Sequence, residues 1–201
     1  PVVASLTVSP EIPESVPFCG QLVDITRYDR REAFDRELSS FTYFHSTTML
    51  LIKRANRYFP VIEPILKANG IPDDFKYLAV IESNLDPRVT SHAKAVGMWQ
   101  LLEGTARDFG LVITPTVDER CHVAKATEAA CRYLKQAYEK YGDWATVAAS
   151  YNGGMGRISG ELVKQEGESS FDLWLVEEAT RYVYRIMAIK QIFEHPSKYG
   201  F

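Results

Sequence analysis

Apolar residues recur every three or four positions along most of the chain, the spacing that lines one face of a helix. Phe34, Leu38 and Phe41 show it in the first patterned segment, which begins near Asp29. A later segment carries an equally regular stripe, made of Ala126, Ala130, Leu134 and Tyr138. No segment shows a convincing alternation of apolar and polar residues, the pattern that predicts a strand. We therefore expect an all-α fold.

Prolines and glycines divide this helical pattern. The first 20 residues contain four prolines and no helical period, which predicts an extended tail over residues 1–28. A helix capped by Ser46 or Thr47 should follow the first helix and stop at Asn69-Gly70. Pro60 and Pro64 are expected to split it, because proline disrupts a helix interior.

The remaining segments also read as helices. One should start in its first turn with Pro72 and close at Asp86-Pro87. Residues 97–110 are expected to hold two short helices, and residues 144–152 one buried helix rich in small residues. The last helix is predicted from about Glu177.

Composition narrows the class of protein. The chain has 201 residues, 46% of them hydrophobic and 24% charged, with a formal net charge of −3. This is an ordinary globular balance without a basic face for nucleic acid, and no apolar run approaches the roughly 18 residues of a membrane helix. The chain begins at Pro1 rather than Met, so we interpret it as a mature or trimmed fragment.

Cysteine and histidine give no sign of a metal site. Neither residue type shows the close spacing that metal ligands adopt, so no metal or cofactor is predicted. Either one disulfide with one free thiol, or three free thiols, is compatible with the cysteines. The residues considered are Cys19, Cys121, Cys131, His45, His92, His122 and His195.

Glu82 is the strongest candidate for chemistry. It follows a nearly continuous apolar run, Tyr77 to Ile81, close to the predicted C-terminal end of a helix. A glutamate is usually a surface residue, but apolar neighbours and the negative pole of the helix both raise a carboxyl pKa. A glutamic acid that stays protonated near neutral pH can act as a general acid in glycosidic cleavage.

Two other segments carry weaker signals. The loop after Pro87 contains Ser91 and, after Gly97, the sequence Met98-Trp99-Gln100; as a polar loop it needs no function, and Trp99 could pack under a sugar or in the core. Tyr151 and Asn152 offer a hydroxyl and an amide at a helix end, which suits a sugar site. The glycines that follow them lack the spacing and the preceding strand of a phosphate-binding loop.

Taken in order, these motifs resemble the transglycosylase SLT domain, family 1 of the lytic murein transglycosylases, and most nearly its membrane-bound D type. The resemblance covers residues 71–193. It implies an all-α, lysozyme-like (goose-type) fold with extra N-terminal helices. The implied division is a Pro-rich tail over 1–28, a helical lead-in over 29–70 packed on the catalytic domain, and that domain over 71–201.

The resemblance also implies roles for individual residues. Glu82 of the Glu-Ser motif is the implied catalytic acid and base. The implied substrate-binding residues come from this motif, the following loop, the Tyr-Asn motif and the last helix: Ser83, Ser91, Gly97, Met98, Gln100, Tyr151, Asn152, Glu178 and Tyr182. The chain departs from the family pattern at Ser150, Gly153, Ala179 and Glu103, none of them the implied acid.

The implied reaction is cleavage of the β-1,4 bond between N-acetylmuramic acid and N-acetylglucosamine in peptidoglycan, without water, giving a 1,6-anhydromuramoyl end. A goose-type lysozyme-like muramidase that admits water, and a non-catalytic peptidoglycan-binding scaffold, are the alternatives. The implied location is the periplasm of a Gram-negative bacterium. We expect a monomer whose outer-membrane attachment, if any, precedes Pro1.

Overall fold

A short β-hairpin precedes the helices. The computed structural model describes residues 9–153 and 177–201, with the side chains of 152, 153 and 177–180 outside the description. Strands β1 (Ser15–Phe18) and β2 (Gln21–Asp24) pair antiparallel. Cys19 and Gly20 connect them with φ angles of 50° and 83°, both positive as a type I′ turn requires.

The expectation of a strand-free, extended tail is wrong for this segment. Val16, Phe18 and Val23 are buried in the core, so the hairpin is part of the packed body. Each strand has only four residues, too few for the alternation to stand out, and Pro17 argues against a strand when the sequence is read alone.

In the described part of the chain, the remaining regular elements are helices, with two 3₁₀ turns at Glu119–Cys121 and Pro196–Tyr199. In chain order, the described α-helices are α1 (Tyr28–Tyr43), α2 (His45–Ala68), α3 (Phe75–Ser83), α4 (Glu103–Asp108), α5 (Val123–Tyr141), α6 (Trp144–Gly153) and α7 (Glu177–Glu194).

The proline break predicted in α2 does not occur. The helix continues through Pro60 and Pro64, and it begins at His45, ahead of the predicted caps. Each proline removes one backbone hydrogen bond. Ile62 and Leu66 are completely buried between and beyond the prolines. Packing of this face against the core therefore outweighs the local cost of the prolines.

Two other boundaries differ from prediction. α3 starts at Phe75, after a turn in which the amide of Phe75 donates to the carbonyl of Pro72, and it ends at Ser83, ahead of Asp86-Pro87. Residues 97–110 contain one helix, α4, instead of the two predicted, because tight turns and isolated bridges occupy the part of the segment before Glu103.

α7 organises the core around α3. It packs along α1, α3 and α6, while α2 packs against α5 and α3. The middle of α3 is fully buried at Leu78, Ala79 and Val80. Helices of the predicted lead-in thus contact those of the predicted catalytic domain; the domain boundary itself stays a prediction.

Candidate active site

Glu82 lies on the last turn of α3, at the border between the core and solvent. The helix stops one residue later, because Asn84 adopts a left-handed conformation with φ of 51°. Leu85 follows with φ of 55° and a completely buried side chain. Left-handed backbone is uncommon outside glycine, although asparagine tolerates it. The left-handed backbone of Asn84 and the buried side chain of Leu85 therefore fix the turn that follows Glu82, and with it the position of the Glu82 carboxyl group.

The surroundings of Glu82 favour its protonated form. Burial raises the pKa of Glu82 to about 7, outweighing the hydrogen bond from Tyr182 and the more distant charge of Arg185, which both lower it. The Tyr182 hydroxyl donates to Oε1 of Glu82, and burial raises the pKa of that phenol well above its usual value. Glu82 can therefore donate a proton near neutral pH and accept one afterwards.

A tightly turned loop faces the end of α3. Isolated bridges join Val96 to Thr90 and to Leu101. Gly97 has φ of 86°, and a Cβ at this position would lie 1.9 Å from the carbonyl oxygen of Arg120. Since no side chain fits such a contact, only glycine lets the loop approach this closely.

Gln100 has its side-chain amide fixed by the same loop. Nε2 donates to the carbonyls of Val89 and Gly97 at 3.1 and 2.9 Å. Because both partners are acceptors, the orientation of the amide is determined. Gln100 also has a left-handed backbone, with φ of 51°. Residues 84–100 contain four of the five described non-glycine residues with positive φ, and such strain concentrates at functional sites.

Ser83 and Met98 connect the loop to the helix. The Ser83 hydroxyl donates to the carbonyl of Ala79 at 3.0 Å and approaches the sulfur of Met98 at 3.5 Å. Ser83 and Met98 are both buried. In this arrangement they position the loop, and direct contact with substrate stays a prediction for both.

Ser91 stabilises the outer part of the loop. Its hydroxyl accepts a hydrogen bond from the amide of Ala95 at 3.1 Å, and its amide donates to the carbonyl of Ala95 at 2.9 Å. The side chain is partly exposed. A substrate contact by Ser91 stays a prediction.

Tyr151 links α6 to the loop that contains Gly97 and Gln100. Its hydroxyl donates to the carbonyl of Trp99 at 2.5 Å. Burial and the nearby Glu82 carboxyl raise its pKa well above the usual value, so the phenol stays neutral. Trp99 is completely buried and donates from Nε1 to Thr127. Of the two interpretations of Trp99, the structure supports the core residue.

The side chains of Asn152 and Glu178 lie outside the described residues. Their predicted roles stay predictions. The structure therefore brings together Glu82, Tyr182, Tyr151 and the Gly97–Gln100 loop.

Sequence reasoning missed a cluster of charges behind Tyr182. On α7, Arg181 and Arg185 contact the carboxylate of Glu37 on α1. Glu37 is only 1% exposed. The sequence contains a signal for this cluster: Glu37 lies within the apolar stripe of Phe34, Leu38 and Phe41, where a charged residue requires a partner.

Metal ligands and a disulfide are not among the described features. No group of three or more His, Cys, Asp or Glu side chains that could hold a metal occurs within residues 9–153 and 177–201. Cys19, Cys121 and Cys131 are all free, the second of the two states compatible with the sequence. Burial raises the pKa of the Cys131 thiol to about 12, so this thiol is unreactive at neutral pH.

Comparison with known proteins identifies the family. The model of the transglycosylase SLT domain matches residues 59–174, more than half of the chain. The chain therefore belongs to this family, as the resemblance predicted. Glu82, Gln100 and Tyr151 fall within the match, and Tyr182 lies beyond it.

Among individual proteins, the chain is 32% identical over 176 residues to membrane-bound lytic murein transglycosylase D of Escherichia coli strain K12. This alignment covers 85% of the chain but 38% of that protein. Membrane-bound lytic murein transglycosylase F of Aeromonas salmonicida is 29% identical over 156 residues, 71% of this chain and 29% of its own length. The chain thus spans well under half of these relatives.

Solved structures confirm the lysozyme-like, mainly helical fold. The 70-kDa soluble lytic transglycosylase SLT70 from Escherichia coli aligns with a TM-score of 0.60 at 19% identity, over 83% of this chain and 29% of that one. An inactive glutamate-to-glutamine mutant of the Pseudomonas aeruginosa lytic transglycosylase Slt gives 0.59 at 18% identity, over 84% and 33%.

Proposed function

We propose that this chain carries the catalytic domain of a peptidoglycan lytic transglycosylase, with Glu82 as its acid and then its base. The observation that carries the proposal is the state of Glu82: a carboxyl group with a pKa raised to about 7, bonded to a neutral phenol. The names of the relatives, which are lytic murein transglycosylases, supply the substrate class.

The environment of Glu82 favours a mechanism with one carboxyl group. Among the described residues, the groups that shift its pKa are Tyr182 and Arg185, and neither is an acid. Most glycoside hydrolases place a second carboxylate across the scissile bond. The lyase reaction needs no second carboxylate, because one residue first donates a proton and later accepts one.

The reaction proceeds in two steps. Protonated Glu82 gives its proton to the glycosidic oxygen, so the bond to the anomeric carbon of N-acetylmuramic acid breaks, and the substrate's 2-acetamido group stabilises the developing positive charge. The Glu82 carboxylate then takes the proton of the C6 hydroxyl, whose oxygen bonds to the anomeric carbon. The product is a 1,6-anhydromuramoyl end, and Glu82 is protonated again.

The other residues orient this reaction. Tyr182 fixes the Glu82 carboxyl through its hydrogen bond. Gln100, with its amide nitrogen engaged by two carbonyls, turns its oxygen toward a donor such as the N–H of a substrate acetamido group. Ser91, Gly97, Met98, Tyr151, Asn152 and Glu178 complete the proposed substrate-binding set, and Ser83 supports it from α3.

Peptidoglycan as substrate implies action in the periplasm of a Gram-negative bacterium. Attachment to the outer membrane and a monomeric state belong to the same proposal; the relatives D and F are named as membrane-bound. Within the described residues, no helix combines the length and apolarity needed to cross a membrane.

Product analysis tests the proposal. Purified sacculi are incubated with the protein, and the released fragments are examined by mass spectrometry. We expect muropeptides with anhydro ends, one water lighter than those with reducing ends. Reducing ends would identify a hydrolase instead, and binding to sacculi without release would identify a scaffold; either result contradicts the proposal.

A further inference from the structure

A buried carboxylate on α1 pairs with a cluster of arginines next to the candidate active site. Glu37 is 1% exposed, and three guanidinium groups surround it. The Nε atoms of Arg181, Arg36 and Arg185 lie 2.7, 3.4 and 3.7 Å from its carboxylate oxygens. Arg181 and Arg185 are on α7, the helix that also supplies Tyr182 to Glu82.

Arg185 is drawn toward α1 by two contacts. Besides the approach to Glu37, its guanidinium lies 5.9 Å from the centre of the Phe41 ring, one turn along the same helix. Such cation–π contacts stabilise a guanidinium over a ring. With Glu82, by contrast, Arg185 forms no ion pair among the described contacts and acts only as a more distant charge.

We propose that Glu37 is a positioning residue: by holding Arg185 against α1, it prevents that guanidinium from forming an ion pair with Glu82. The proposal rests on the proposed function, in which Glu82 must carry a proton. A direct contact with Arg185 would favour the charged carboxylate and remove the acid at neutral pH.

No other described group near Glu82 is a cation placed to form an ion pair with it. Tyr182 on α7 and Tyr151 on α6 are neutral phenols. Arg54 on α2 donates to the carbonyl of Asn84 at 2.9 Å, which fixes it beyond the end of α3. Among the described residues, Arg185 is the only cation whose charge acts appreciably on Glu82.

The test is an NMR titration of the Glu82 carboxyl carbon in the wild-type protein and in Glu37→Gln, Arg185→Gln and the double variant. In Glu37→Gln we expect the pKa of Glu82 to fall by about one pH unit or more, since an opposite charge at close range lowers a carboxyl pKa by about one to three units. In Arg185→Gln it should rise. The double variant should return to the wild-type value or above it.

The matched control is Glu32→Gln, which removes the same charge from an exposed position of α1 and should leave the pKa of Glu82 unchanged. If Glu37→Gln shifts the pKa no more than Glu32→Gln does, or if the double variant stays as low as Glu37→Gln, the proposal is wrong. Should Glu37→Gln fail to fold, Glu37→Asp retains the charge on a shorter side chain and should lower the pKa by a smaller amount.

Cleavage of sacculi separates this proposal from the proposed function. The titration requires no activity, so a shifted pKa in a protein that releases no muropeptides would reject only the catalytic role. If both hold, the pH above which cleavage declines should move down in Glu37→Gln by the same interval as the pKa. If the ion pairs between α1 and α7 were merely structural, Glu37→Gln would lower the free energy of unfolding without moving this pH limit.

Discussion

Asp74 and Glu82 stand at opposite ends of α3, and α7 supplies a partner to each. Asp74, directly before the helix, accepts hydrogen bonds from the amide of Cys19 at 2.6 Å and from Nζ of Lys190 at 2.9 Å. Lys190 is buried and also donates to the carbonyl of Pro17. Glu82, near the other end, receives a hydrogen bond from the neutral Tyr182.

The two ends therefore use similar carboxyl groups for opposite purposes. At the N-terminal end, Asp74 lies at the positive pole of the helix dipole and is bound by an amide and an ammonium group, and this ion pair attaches the hairpin to α3 and α7. At the C-terminal end, the dipole is reversed and burial dominates, so a proton is retained. The same helix thus holds an anchor at one end and an acid at the other.

The largest effect is expected from Glu82→Gln. Glutamine preserves the size of the side chain and an acceptor for Tyr182, but it cannot donate the proton, so cleavage of sacculi should fall by about 10²–10⁴-fold, the contribution typical of general acid–base catalysis. The circular dichroism spectrum should be unchanged. Glu139→Gln, on the exposed face of α5, is the matched control. Cleavage by Glu82→Gln at the rate of this control would contradict the assignment.

At the anchor, Lys190→Met should reduce stability rather than activity. The change leaves the partly buried Asp74 carboxylate, whose side chain is 14% exposed, without its ammonium partner, and losing one partner of a buried ion pair costs up to about 3–5 kcal/mol. Urea unfolding measures this loss, and cleavage by the folded variant should stay near the wild-type rate. Lys198→Met, which breaks an exposed pair with Glu11, should cost less than about 1 kcal/mol. Equal losses in the two variants would show that burial does not strengthen the anchor.

The pH dependence of stability distinguishes the two ends further. The pKa of Glu82 is about 7 in the folded protein against an ordinary value of 4.5, so the folded form binds more protons between these values. Its contribution to the free energy of unfolding is therefore fully present below about pH 4.5 and is lost as the pH rises through 7, by up to about 3 kcal/mol.

Urea unfolding of the wild-type protein and of Glu82→Gln measures this contribution. Between pH 5 and 8 the stability of the wild-type protein should decrease relative to the variant, because glutamine does not titrate. A difference that stays constant over this range would mean that Glu82 is not held in its protonated form.

The apolar environment of Glu82 was easier to predict from the sequence than the ion pair of Asp74. Glu82 stands out because it follows an apolar run near a helix end, and both signals are local. The ion pair of Asp74 joins residues 116 positions apart, and the hairpin that it holds consists of strands too short to show alternation. Pairing of this kind depends on tertiary contacts that no local pattern encodes.

The same distinction explains the other differences between prediction and structure. α2 continues through two prolines because its face is buried against distant helices, which no local rule registers. The close approach of Gly97 to the carbonyl of Arg120 likewise depends on a residue that is distant in the sequence. Glu37 could have been found from its place in an apolar stripe, whereas two of its three arginine partners, Arg181 and Arg185, lie more than 140 positions away.

The smallest effect is expected from Tyr182→Phe, which removes the hydrogen bond to Glu82 and nothing else. Because this bond stabilises the carboxylate, the pKa of Glu82 should rise above 7. The pH above which cleavage declines should rise with it, by about one unit or less. Cleavage well below that pH should fall by roughly tenfold, since one hydrogen bond to a charged group contributes about 1.5–3 kcal/mol and part of this orients the acid. Tyr138→Phe, on α5 and 38% exposed, controls for loss of a phenol. A decline that moved to lower pH would contradict this direction, because it would mean that the bond stabilises the protonated acid, with Glu82 as the donor and Tyr182 as the acceptor.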